Sequence, residues 1–246
     1  MYRTMYTLVL LRHGQTIYNK EKIFCGWEDV DLTEQGVEEA KTAGQTLKQA
    51  GFIFDVAFCS VLKRAIETLS IALDEMGIED LPINYSWRLN ERHYGALQGQ
   101  KHEDVVKTCS PEQVQLWRRS FCERPPQVGV DDPRNPCNDK KYCDIDVKDL
   151  PCGESLEDTV KRVLPYWHNE IAPQIKKGKR VIVSASGNSL RSLVKYIDNI
   201  SDDDIVGMEI LNGTPLIYEL DENLKPTNKY YLKKGAIREP FVAKKK

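Results

Sequence analysis

The chain has 246 residues, 41% of them hydrophobic and 29% charged, with 35 basic against 37 acidic side chains and a net charge of −2. This length can bury a sizeable core, and the composition lies outside the disordered range. The near-even charge balance excludes the strong basic excess of a nucleic-acid binder, so any anion must be drawn by a local cluster of Arg and Lys.

Thr7–Leu11 is a near-continuous apolar run, the pattern of a strand buried on both faces. It is too short for a signal-peptide core or a bilayer span, and no later segment comes closer. The expectation is a cytoplasmic protein without membrane contact. Thr33 reads as a helix cap, followed by Val37, Ala40, Ala43 and Leu47 at helical spacing up to Gly51. Residues 56–60 predict a second strand, and 61–76, stopped by Gly77, a helix. Residues 120–153 hold Pro125, Pro126, Pro133, Pro136 and Pro151 among many Asp and Lys, and read as a loop-rich insertion over the site. Residues 181–183 predict another strand, 189–197 a helix, and 216–220 with 229–232 a hairpin about Asp221-Glu222-Asn223. The tail, 233–246, is basic and expected to be mobile. Strands alternating with helices imply a single α/β domain over 1–246, with a mostly parallel central sheet flanked by helices.

The seven cysteines are an odd number in a chain too long to need a disulfide scaffold, and read as reduced thiols. Cys137 and Cys143 lack CxxC spacing and a nearby histidine, so no metal site is expected.

The chemistry begins at Arg12-His13-Gly14, which ends the first strand. Open α/β sheets bind ligands beyond the carboxyl ends of their strands. A histidine there can attack, an adjacent arginine can neutralise a phosphate, and Gly14 would allow close backbone approach. A strand-end histidine held only by hydrogen bonds is the plain alternative. Further polar groups gather at Arg64, in Asn90-Glu91-Arg92-His93-Tyr94-Gly95, at Arg118-Arg119, and in Ala185-Ser186-Gly187-Asn188. Four arginines (Arg12, Arg64, Arg118, Arg119) supply the planar donors that phosphates and carboxylates prefer. No Walker-type or dinucleotide-binding glycine pattern occurs.

Together these segments resemble the cofactor-dependent phosphoglycerate mutases of the histidine phosphatase superfamily, from about residue 6 to about residue 232. The resemblance implies that His13 becomes phosphorylated, that Arg12 and Arg64 hold the transferring phosphoryl group, and that Glu91 is the general acid and base. It implies that Thr16, Asn19, Cys25 and Gly26 contact phosphoryl group or glycerate. Tyr94, Arg118 and Arg119 would grip the nontransferring half, and Gly187 and Asn188 a phosphate. It further implies 2,3-bisphosphoglycerate as priming donor, phosphoglycerates as substrates, and a homodimer or homotetramer.

The family has a second histidine where this chain has Ser186. Loss of one preorganised donor typically lowers turnover about a hundred- to thousandfold, so impaired turnover with near-normal binding is expected. Gln15 replaces a usual Glu. Lys101-His102 stands where the family reads Asn-Lys, leaving either residue for the phosphate-binding lysine's role; His102 and His168 otherwise read as surface positions, and His93 as structural. Thr16 and Gly26 favour the mutase branch, whereas Cys25 favours the bisphosphoglycerate mutases. The tail is shorter than is usual, which implies leakage of phosphoryl groups to water. The alternatives are a bisphosphoglycerate synthase or phosphatase, and a catalytically silent phosphoglycerate-binding relative.

Overall fold

The run Leu8–Leu11 has no polar face because both its faces are covered. In the computed structural model, which describes residues 5–241, it lies within strand β1 (Tyr6–Arg12), inside a seven-stranded sheet. Leu8 and Leu10 enter one core, Val9 and Leu11 the other, and all four are fully buried. Each such burial contributes about 1.5–3 kcal/mol relative to exposure.

After β1 come α1 (Ile17–Lys20), α2 (Glu34–Gln49), β2 (Val56–Cys59), α3 (Lys63–Met76), β3 (Ile83–Tyr85), α4 (His102–Thr108), α5 (Pro111–Arg119), α6 (Leu156–Tyr166), α7 (Ala172–Lys176), β4 (Val181–Ala185), α8 (Gly187–Ile197), β5 (Leu216–Leu220), β6 (Pro226–Lys233) and β7 (Ile237–Pro240). Thr33 caps α2 by accepting from the Gly36 N–H at 3.0 Å. Gly77 ends α3 in the left-handed conformation at φ 74°, where a side chain would be strained. Helices α1, α4, α5, α6 and α7 and strand β3 fall outside the elements expected above.

The strand order is β3-β2-β4-β1-β5-β6-β7. Helices α2 and α3 cover the Val9 and Leu11 face, and α6, α7 and α8 cover the Leu8 and Leu10 face. This is the expected α/β fold with helices on both faces, but the sheet is mixed rather than mostly parallel. Strands β3, β2, β4 and β1 run parallel, while β5, β6 and β7 each pair antiparallel with the preceding neighbour. The β5–β6 and β6–β7 connections are too short for a crossover helix, so the chain can only reverse direction there.

Where a loose basic tail was expected from 233 onward, Ile237–Pro240 instead forms β7, paired with β6, and Phe241 is buried against Tyr231. Residues 242–246 lie outside the described residues. The insertion at 120–153 carries three 3-10 turns and is anchored by Tyr142 and Leu150, which pack with Trp27 in a small separate cluster. No helix among the described residues is long and apolar enough to cross a membrane.

Candidate active site

The parallel half of the sheet brings three strand ends together. Arg12 and His13 leave β1, Ser186 leaves β4, and β2 leads through Ser60 into α3, whose first turn carries Arg64. Of these, Arg12, His13 and Arg64 line a cavity of about 280 Å³.

His13 is almost fully buried. Its Nε2 faces the Nε–H of Arg64 at 3.2 Å, and its Nδ1 lies 2.8 Å from the Gly14 carbonyl. An arginine can only donate, so Nε2 is the acceptor and Nδ1 carries the proton, which it gives to Gly14. Burial, then Arg64 and Arg12, push the imidazole well below its ordinary value. The ring is therefore neutral at pH 7, with Nε2 unprotonated and its lone pair shared only with the Arg64 Nε–H, the state a nucleophile requires. Arg64 is itself buried and fixed by the carbonyls of Glu28 and Gly26, both at 2.8 Å. Arg12 donates to the Ile210 carbonyl at 2.6 Å, and its Nε has no hydrogen-bond partner among the described residues.

Glu91 enters from the loop after a 3-10 turn at Trp87–Leu89. Its Oε1 accepts from the Arg92 N–H at 2.7 Å and from the Asn188 N–H, at the start of α8, at 3.2 Å. That loop is held from behind by Arg162, which donates to the carbonyls of Trp87, Arg88, Asn90 and Glu91 and pairs with buried Glu154 at 2.8 Å. Glu154 in turn accepts from the His93 N–H.

On the far side, Tyr94, Arg118 and Arg119 line the same cavity, as do Asn19, Cys25, Gly187 and Asn188. The Tyr94 hydroxyl accepts from Arg92 Nη2 at 2.9 Å and Asn188 Nδ2 at 3.3 Å. A Cβ at Gly187 would press on the Arg12 guanidinium at 3.3 Å, so only glycine leaves that arginine undisturbed.

Five of the residues expected at the site do not line this cavity. Thr16 does not line the cavity; it is buried and caps α1, exchanging hydrogen bonds with Asn19. Gly26 also stands back, holding Arg64 through its carbonyl at φ 55°, where a Cβ would collide with Gln98. Lys101 points away toward Glu21 at 3.8 Å. At Gly14 a Cβ would collide with the Gly36 carbonyl, so this glycine is required by backbone packing. Ser186 is fully buried and does not reach the cavity wall; its hydroxyl lies 3.5 Å from Arg64 Nη2.

Of the two residues left open at 101–102, His102 is the one on the wall, edge-on to Phe24 at 4.3 Å; Lys22 and Arg191 join it unforeseen. Burial, then Arg118, Lys22 and Arg119, push the His102 ring down to about 4. Lys22 lines it from a left-handed backbone conformation at φ 56°. Arg191, buried on α8, donates to Asn188 Oδ1 at 2.7 Å and to the Ile205 carbonyl at 2.6 Å. The spacing of Asn188 and Arg191, three apart on one helix face, carried that signal.

His93, expected as structural, is fully buried; its Nδ1 accepts from the Gly95 N–H and its Nε2 lies 3.1 Å from the Arg134 carbonyl. Burial pushes its ring down to about 4. Unfolded, the ring would take its proton near pH 6.5, so between those values the unfolded chain binds more protons. Stability present above about pH 6.5 is therefore lost as pH falls toward 4, by on the order of 3 kcal/mol from His93. Thermal melts should show the midpoint dropping between about pH 7 and about pH 5; a constant midpoint would count against this.

The site thus offers a neutral buried imidazole between two arginines, a carboxylate beside it, and a second arginine pair across the cavity. It can accept a phosphoryl group on nitrogen and hold an anionic substrate at two ends.

The sequence profile of the histidine phosphatase superfamily (branch 1) matches residues 8–230. Among solved structures, a mycobacterial glucosyl-3-phosphoglycerate phosphatase superposes with a TM-score of 0.69 at 20% identity, covering 95% of this chain and 100% of that one. A putative alpha-ribazole-5'-P phosphatase from Escherichia coli gives 0.67 at 19%, covering 96% and 98%. The Bacillus stearothermophilus protein YhfR gives 0.68 at 22%, covering 94% and 97%. These likenesses share the fold, and the profile match spans most of the sequence: the chain belongs to the histidine phosphatase superfamily, branch 1.

Proposed function

We propose that this protein interconverts 3-phosphoglycerate and 2-phosphoglycerate through a phosphohistidine at His13, with turnover lowered by Ser186. The observation that carries this reading is the pairing of two cationic ends in one cavity, Arg12 with Arg64 and Arg118 with Arg119, with Glu91 also on its wall. A three-carbon acid bearing one or two phosphates has anions at both ends and a hydroxyl between them.

In the priming step, His13 Nε2 attacks a phosphate of 2,3-bisphosphoglycerate, forming the N–P bond as the ester O–P bond breaks. Glu91, as its acid, gives a proton to the departing oxygen. In transfer, the free hydroxyl of the bound phosphoglycerate attacks the phosphorus and Glu91 takes the hydroxyl proton. The N–P bond breaks and returns the electron pair to Nε2. Arg12 and Arg64 offset charge on the moving group, while Arg118, Arg119 and Tyr94 hold the other end. Phosphorus NMR of 3-phosphoglycerate with catalytic 2,3-bisphosphoglycerate tests this: 2-phosphoglycerate should accumulate, and inorganic phosphate as sole product would contradict it.

That second result would fit a phosphatase, a reading supported by the activities named for the mycobacterial and E. coli neighbours. Water would then take the phosphoryl group from His13. The arginine pair at 118–119 favours the mutase. Arg118→Met is expected to raise KM for phosphoglycerate about 10- to 100-fold, the effect of losing a charged hydrogen bond, with a smaller change in kcat. Steady-state kinetics checks it, and an unchanged KM would remove Arg118 from the substrate site.

A further inference from the structure

The cavity wall carries six cationic side chains, Arg12, Lys22, Arg64, Arg118, Arg119 and Arg191, and two carboxylates, Glu91 and Glu209. Glu91 is engaged by backbone N–H groups and has a role in the chemistry above. Glu209 has none. It lies between a 3-10 turn at Asp204–Gly207 and β5, and its side chain is 64% exposed. Among the described residues its one ionic partner is Arg119, whose Nη2 stands 3.7 Å from Oε1.

The backbone that carries Glu209 is fixed. Arg12 donates to the Ile210 carbonyl at 2.6 Å, the Leu211 N–H donates to the Tyr231 hydroxyl at 3.2 Å, and that hydroxyl lies 3.5 Å from the Glu209 carbonyl. The backbone thus sets Glu209 on the cavity wall, within reach of Arg119 at the end of α5. The carboxylate's field acts on Arg12 and Arg118 as well as on the adjacent Arg119. An exposed pair of this kind contributes little to stability, so folding gives no reason for a carboxylate inside an anion site.

We propose that Glu209 is a specificity-determining residue. It competes with the outer anionic group of the ligand for Arg119 and so grades ligands by the charge on that end. A ligand ending in a singly charged carboxylate is opposed less than one ending in a doubly charged phosphate. The identity of these ligands rests on the phosphoglycerate reading; the competition itself does not.

Calorimetric titration of the wild type, Glu209→Gln and Glu209→Asp tests this at low ionic strength. Removing one negative charge beside the outer group in a water-like dielectric should tighten 2,3-bisphosphoglycerate about sixfold and 3-phosphoglycerate about two- to threefold. Added salt should shrink both gains, and Glu209→Asp, which keeps the charge, should retain the wild-type ratio. Inorganic pyrophosphate and inorganic phosphate serve as a parallel pair without glycerate. Binding of neither glycerate, with pyrophosphate still gaining over phosphate in Glu209→Gln, would overturn the phosphoglycerate reading and uphold the role of Glu209. Glycerates that bind with the same affinity ratio in the wild type and Glu209→Gln would overturn Glu209 as the determinant and leave the phosphoglycerate reading standing.

Discussion

On the proposed mutase reading, Ser186→His is expected to raise turnover by about a hundred- to thousandfold, the usual value of one preorganised donor to a transferring group. The serine hydroxyl, fully buried and 3.5 Å from Arg64 Nη2, is directed at the arginine that faces His13. It is too short to join the cavity wall. An imidazole at the same N-cap position of α8 extends farther in that direction and presents an N–H to the phosphoryl oxygens. Because His13, Arg12, Arg64 and Glu91 are already assembled, the change supplies a missing donor rather than rebuilding a site. Binding of 3-phosphoglycerate should change little, so the gain should appear in kcat. Comparison of kcat and KM for the two proteins decides it. A variant that folds and binds but turns over no faster would mean that Ser186 is not what limits the wild type.

Arg162→Leu is expected to destabilise the fold by about 3–5 kcal/mol, the cost of breaking a buried ion pair by removing one partner. Both side chains of the Arg162–Glu154 pair are almost fully buried. The arginine also satisfies four carbonyls between Trp87 and Glu91. Without it, the Glu154 carboxylate and those carbonyls stay buried with lost partners. Since the same segment delivers Glu91 to the cavity, activity should fall even in molecules that remain folded. Chemical denaturation followed by circular dichroism measures the first effect; a midpoint within error of the wild type would refute the assignment.

The central strand, α2, α3 and the β5–β6 hairpin were legible because each rests on local signals: an apolar run, a capping threonine, a helix-ending glycine, a reversing turn. The strand-end position of His13 was legible for the same reason. What the sequence could not show was contact made across the chain. His102 reaches the cavity because Phe24 pairs with Gln100 and an isolated bridge joins Ile23 to Lys101, which turns Lys101 outward and His102 inward. Nothing in the run Lys101-His102 separates those two outcomes. Glu209 and Lys22 likewise come from segments without periodicity, placed only by their hydrogen bonds to distant residues. Thr16, Gly26 and Ser186 were assigned to the site through the family resemblance. Thr16 instead caps α1, the Gly26 carbonyl holds Arg64, and the Ser186 hydroxyl faces the same arginine. Strand β7 escaped notice because four exposed residues between lysine-rich stretches look like tail until they meet the edge of β6.

The most direct test of the central claim is to incubate the protein with phosphorus-32-labelled 2,3-bisphosphoglycerate and locate the label by peptide mass spectrometry. A neutral His13 imidazole with its Nε2 lone pair beside Arg64 predicts an acid-labile, base-stable label on His13, absent in His13→Asn. Label on another residue, or turnover of substrate with His13 never labelled, would contradict the account.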